Sequence, residues 1–182
     1  MNELITGRPS AMSEFDKFGR TPFHYAAQFG CDEVAMLLSK LDIDLARIPD
    51  RDGMSALHIA AKNGHYKFIR KLLNYCPDIC ELLDNKDMTA IHAAVESEKP
   101  RVVEYFLESK LFQGVINRKD KNGNTPLHLA AIHEDPYIFL RLIKHGRVDR
   151  SAINKEGFTA MDIIQSNTKL AIYEKVSLLY PS

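Results

Sequence analysis

The chain has 182 residues, of which 45% are hydrophobic and 26% charged, the profile of a water-soluble globular protein long enough to bury a core. Lys+Arg and Asp+Glu both number 24, so no net field draws in nucleic acid or an anionic membrane. No apolar run approaches the roughly 20 residues of a membrane helix, and Met1 to Pro9 lacks the apolar stretch of a secretion signal.

Residues 1–15 read as the tail of an earlier unit. Leu4-Ile5 would end a helix there, and Pro9 to Asp16 repeats the step from Pro77 to Asp84. An array that opens on half a unit, without a polar capping repeat, is expected to be cut from a longer parent.

From residue 16 onward one tetrapeptide returns in register: Thr/Ser, Pro/Ala, apolar, His. It stands at Thr21-Pro22-Phe23-His24, Ser55-Ala56-Leu57-His58, Thr89-Ala90-Ile91-His92 and Thr125-Pro126-Leu127-His128, then decays to Thr159-Ala160-Met161-Asp162. The spacings are 34, 34, 36 and 34 residues. Asp16, Asp50, Asp84, Asp120 and Asn154 precede each tetrapeptide, and Gly19, Gly53, Gly123 and Gly157 mark a tight turn. Asp87 replaces the third glycine, and Asp is one of the few other residues that tolerates positive φ.

After each tetrapeptide come the small pairs Ala26-Ala27, Ala60-Ala61, Ala94-Val95 and Ala130-Ala131, ended at Gly30, Gly64, Glu98 or Glu134: a short first helix. The pairs Val34/Leu38, Phe68/Leu72, Val102/Phe106 and Ile138/Leu142 then place two large apolar residues on one face of a second helix. The units are expected at 16–49, 50–83, 84–119 with a two-residue insertion, 120–153 and, degenerate and capping, 154–182, where Leu170 to Tyr180 reads as a closing amphipathic helix.

This pattern resembles the ankyrin repeat, whose period is about 33 residues and whose hallmark is Thr-Pro-Leu-His. The resemblance implies an all-α solenoid of stacked helix-turn-helix units with β-turn fingers, acting as a protein-protein interaction module. Arg8-Pro9-Ser10-Ala11 and the phrasing around Thr21 and Thr125 look like the plant membrane-anchored ankyrin proteins of the accelerated-cell-death type. That resemblance implies repeats facing the cytosol in a defence or cell-death signalling protein. The chain departs from it by ending at Ser182 without a membrane segment. A regulatory self-assembly domain of a membrane channel or transporter is the alternative.

In ankyrin domains the fingers and first helices line a concave groove, and positions not required by the fold are free to read a protein or peptide. By register these are Lys17, Phe18, Arg20, Gln28 and Phe29 in the first unit, and Arg51, Met54, Lys62 and Asn63 in the second. Asn85, Lys86, Met88 and Glu96 follow in the third, and Lys121, Asn122, Asn124 and His133 in the fourth. Lys155, Glu156 and Phe158 complete the set. Phe18, Phe29, Met54, Met88 and Phe158 carry apolar side chains typical of interface anchors; packing between fingers is the alternative, and for Met54 and Met88 the two readings stand level.

No enzyme is expected. G-x-S-x-G, G-x-G-x-x-G and phosphate-loop motifs are absent. His24, His58, His92 and His128 would stack 8–10 Å apart, too far for neighbours to share a zinc ion at about 2.0–2.1 Å. Each is expected to tie its turn to a neighbouring backbone group. Cys31, Cys76 and Cys80 are odd in number and lack a second ligand pair, so they read as reduced cytosolic thiols. No cofactor, metal, nucleic acid or small-molecule substrate is expected.

Overall fold

Local chemistry sets each helix start. Thr21, Ser55, Thr89 and Thr125 sit at N-cap positions in extended conformation, and Pro22 and Pro126 occupy the first helical turn, where the missing N–H is harmless. The computed structural model describes residues 15–34, 37 and 43–166. In chain order the helices are α1 (Pro22–Phe29), α2 (Ala56–Asn63), α3 (Tyr66–Tyr75), α4 (Ala90–Glu96), α5 (Pro100–Glu108), α6 (Pro126–Ile132), α7 (Pro136–Lys144) and α8 (Ala160–Ser166). Residues 32–34 are also helical, and short 3-10 turns cover Ile43–Ala46, Pro77–Glu81 and Lys110–Phe112. Among the described residues there is no β-sheet, only an isolated bridge between Ile153 and Thr159.

The helices form two rows. α1, α2, α4, α6 and α8 stack in series as the first row, while α3, α5 and α7 stack behind them. Ala60, Ala61, Ala94 and Ala130 are fully buried between first-row helices, where small side chains permit close approach. Phe68, Leu72, Val102, Phe106, Ile138 and Leu142 fill the layer between rows, all without exposed surface. Phe106 stacks on Phe112 with ring centroids 4.1 Å apart, and Phe23 meets the Phe68 edge at 6.2 Å. No unit buries its apolar face alone, so stability comes from these neighbour contacts.

The insertion is local. Val102 keeps the 34-residue offset from Phe68 while Asp120 stands 36 after Asp84, so the two extra residues lie between Glu108 and Asp120, around the Lys110–Phe112 turn. Leu38, the expected closing helix over 170–180 and residues 1–14 of the expected tail lie outside the described residues.

Candidate partner-binding surface

Each finger is held by its own first residue. Asp16 Oδ1 accepts the N–H groups of Phe18 and Arg20, both at 2.8 Å. Asp50, Asp84 and Asp120 repeat this with the third and fifth residues of their own fingers, and Asn154 does the same for Glu156 and Phe158. Neighbouring fingers are then joined by one backbone bond each. The N–H of Arg51 donates to Phe18, Asn85 to Asp52, Lys121 to Lys86 and Lys155 to Asn122, at 2.9–3.0 Å. At Gly53 this closeness requires glycine: a Cβ there would lie 2.5 Å from the Asn85 nitrogen, and φ is +81°. Asp87 takes φ 59° in place of the missing glycine.

The histidines lie under the fingers. Thr21 N–H donates to His24 Nδ1 at 3.0 Å, so that nitrogen is unprotonated, and Nε2 must carry the proton it donates to the Met54 carbonyl at 3.2 Å. His58 makes the same bridge to Met88, His92 to Asn124 and His128 to Phe158, at 3.0–3.2 Å. Burial, which penalises the charged form, lowers the pKa of all four rings and brings His92 to about 4. Nδ1 is thus engaged within its own unit and Nε2 in joining the next, and no group of His, Cys, Asp or Glu among the described residues is arranged to hold a metal ion. Burial also pushes the Cys76 thiol up to about 11, which keeps it protonated and unreactive at neutral pH.

The expected recognition residues separate into three groups. Lys17, Phe18, Phe29, Arg51, Lys62, Asn63, Asn85, Lys86, Lys121, Asn122, His133, Lys155, Glu156 and Phe158 are exposed. Among the aromatic residues the exposures are 52% for Phe18, 66% for Phe29 and 47% for Phe158, far above a packed position. Arg20, Gln28, Met54 and Glu96 are half-buried. Arg20 is engaged in the scaffold, with Nε 3.3 Å from Asp50 Oδ2 and Nη1 3.1 Å from Gln28 Oε1. Met54 packs against the core.

Met88 and Asn124 depart from the expectation. Met88 is 4% exposed and belongs to the central core, and Asn124 is 6% exposed with Oδ1 accepting from Asn154 Nδ2 at 3.1 Å. Both follow the finger turn onto the first-row helices, where the next unit covers them. Met88 is thus part of the packing, and Asn124 is held by Asn154 with little of its surface left exposed.

Ile132 is a residue the sequence reading missed. It ends α6 in the same register as Gln28, Lys62 and Glu96, which is the signal that finds it, and it is exposed. With Asn122, Asn124, Asn154, Lys155, Glu156, Phe158, Ile163 and Ser166 it lines a cavity of about 430 Å³ between the fourth and fifth fingers.

The chain belongs to the ankyrin-repeat family: the family model described as Ankyrin repeats (3 copies) matches residues 1–80, 44–115 and 71–154. Ankyrin repeats are protein-protein interaction modules. The chain is 31% identical to dog inversin (Canis lupus familiaris) over 145 residues, covering 80% of this chain and 13% of inversin. It is 41% identical over 56 residues to the Arabidopsis thaliana "Ankyrin repeat-containing protein BDA1", covering 31% and 13% of the two chains. It is 30% identical over 133 residues to the Saccharomyces cerevisiae "Probable 26S proteasome regulatory subunit p28", covering 72% and 58%. The chain therefore spans only about an eighth of the length of inversin. Among the described residues no helix is long and apolar enough to cross a membrane.

Proposed function

We propose that the face formed by the fingers and first-row helices binds a polypeptide partner. The observation that carries this reading is the exposure of Phe18, Phe29, Ile132 and Phe158, four of the ten large hydrophobic residues exposed among the described residues, on fingers and at the ends of first-row helices. Large apolar side chains left in water at structurally optional positions mark interaction sites. The binding residues on this reading are Lys17, Phe18, Phe29, Arg51, Lys62, Asn63, Asn85, Lys86, Lys121, Asn122, His133, Lys155, Glu156 and Phe158, joined by Ile132 and, at the edge, Met54 and Glu96.

The finer reading places the chain as the cytosolic recognition part of a plant defence or cell-death signalling protein. Its support is the motif phrasing around Thr21 and Thr125 and the 41% identity over 56 residues to an Arabidopsis ankyrin protein. Three unpaired cysteines suit a reducing compartment.

The test is affinity capture with the wild-type chain beside a Phe18→Ala/Phe29→Ala/Phe158→Ala variant of equal thermal stability. The variant is expected to lose a partner that the wild type retains. Equal recovery by both proteins would remove the proposed face.

A further inference from the structure

The cavity between the fourth and fifth fingers has a distinctive composition. Its lining combines three apolar residues, Ile132, Phe158 and Ile163, with Asn122, Lys155 and Glu156 of the two fingers. Lys121 stands exposed on the neighbouring finger, held beside Lys155 by the backbone bond from Lys155 N–H to the Asn122 carbonyl. Among the described residues no carboxylate lies within 4.0 Å of either lysine, whereas Lys86 has Glu96 at 3.8 Å. The carboxylate of Asp120, at the base of that finger, is turned inward onto the N–H groups of Asn122 and Asn124.

We propose that this cavity takes one aliphatic or aromatic side chain of an extended, acidic peptide segment whose flanking carboxylates pair with Lys121 and Lys155. The inference rests on the reading of this face as a protein-binding surface. A volume of about 430 Å³ is that of a small-ligand site: it holds a leucine or phenylalanine side chain together with its adjoining backbone but is small for a folded element. Successive fingers repeat at helix-packing distance, roughly 8–10 Å. An extended chain rises about 3.3 Å per residue and returns to the same face every second one. Carboxylates two residues either side of the apolar anchor therefore lie on its face about 13 Å apart, within reach of two flexible lysines. The segment has the form acid-x-apolar-x-acid. Glu156 on the rim interrupts the positive charge, which disfavours a continuous polyanion such as nucleic acid or an anionic membrane.

The test uses the full chain and fluorescein-labelled Gly-Ser-Glu-Thr-Leu-Thr-Glu-Ser-Gly, followed by anisotropy at low salt. The peptide is expected to bind saturably and about tenfold more tightly than versions with Leu replaced by Ala or both Glu by Lys. Lys121→Glu/Lys155→Glu is expected to weaken it about tenfold and to bind the Lys-substituted peptide instead, a charge swap that simple destabilisation does not produce. Absence of saturable binding, or equal binding of the acidic and basic peptides, overturns the proposal. So does tighter binding of oligothymidylate or phosphatidylserine vesicles than of the peptide. If partner capture depends on Phe18, Phe29 and Phe158 but ignores the lysine reversal, this inference fails while the wider reading stands; if capture ignores both, both fail.

Discussion

His92 Nε2 donates to the carbonyl oxygen of Asn124 at 3.2 Å, so one neutral imidazole closes the start of its own helix and anchors the finger of the next unit. Three other histidines make the same bridge. Protonation would place a second N–H against the Thr89 N–H that Nδ1 accepts, within a site that water does not reach.

This arrangement predicts acid sensitivity of a defined sign. The folded-state pKa values of His24, His58, His92 and His128 lie below the unfolded value of 6.5, with burial as the leading cause and His92 at about 4. The unfolded chain therefore binds more protons between pH 6.5 and about 4. Stability is fully present above 6.5 and lost as pH falls through that window, by about 3 kcal/mol for His92 alone. Urea midpoints measured from pH 8 to 4 should be flat at first and then decline; a rise on acidification would contradict the histidine account.

Removal of one ring isolates the same effect. His58→Ala strips partners from the Ser55 N–H and the Met88 carbonyl in a buried site, and should destabilise by about 2–4 kcal/mol. His133→Ala, at an exposed position, should change stability by less than about 0.5 kcal/mol. Chemical denaturation of the two variants side by side separates a recurring histidine from an exposed one outside the tetrapeptides.

Backbone conformation predicts changes of opposite sign at two sites. Glu98 ends the α4 turn at φ 53°, where the equivalent residues Gly30 and Gly64 are glycine. Glu98→Gly relieves about 1–2 kcal/mol of left-handed strain against an unfolded-state entropy loss of about 0.5–1 kcal/mol, a net gain near 0.5 kcal/mol. Gly53→Ala should instead destabilise by at least about 2 kcal/mol, because its Cβ collides with the Asn85 nitrogen 2.5 Å away. Thermal melts of both variants check the pair.

The layer between the helix rows should be equally unforgiving. Phe106→Ala removes a fully buried ring and its stack on Phe112, with an expected loss of about 3–5 kcal/mol. Phe29→Ala, on the exposed face, should melt within a few degrees of wild type. A Phe106 variant as stable as wild type would show that the units do not share one core.

The sequence alone determined the architecture, because the repeating residues act mostly within their own unit. Asp120 braces its own finger, Pro126 starts its own helix, and His128 closes the N-terminus of the helix it sits on. Such contacts span a few residues, so periodicity exposes them. Burial at the irregular positions was decided by tertiary structure. Arg20, Met54, Met88, Asn124 and Phe158 occupy one register position, yet Met88 and Asn124 are buried, Arg20 and Met54 half-buried and Phe158 exposed. Two of them are set by residues 30 positions away: Arg20 is drawn in by Asp50, and Asn124 by Asn154. Solvent exposure, and with it the shape of the binding face, belongs to the stack of units and is written into none of them singly.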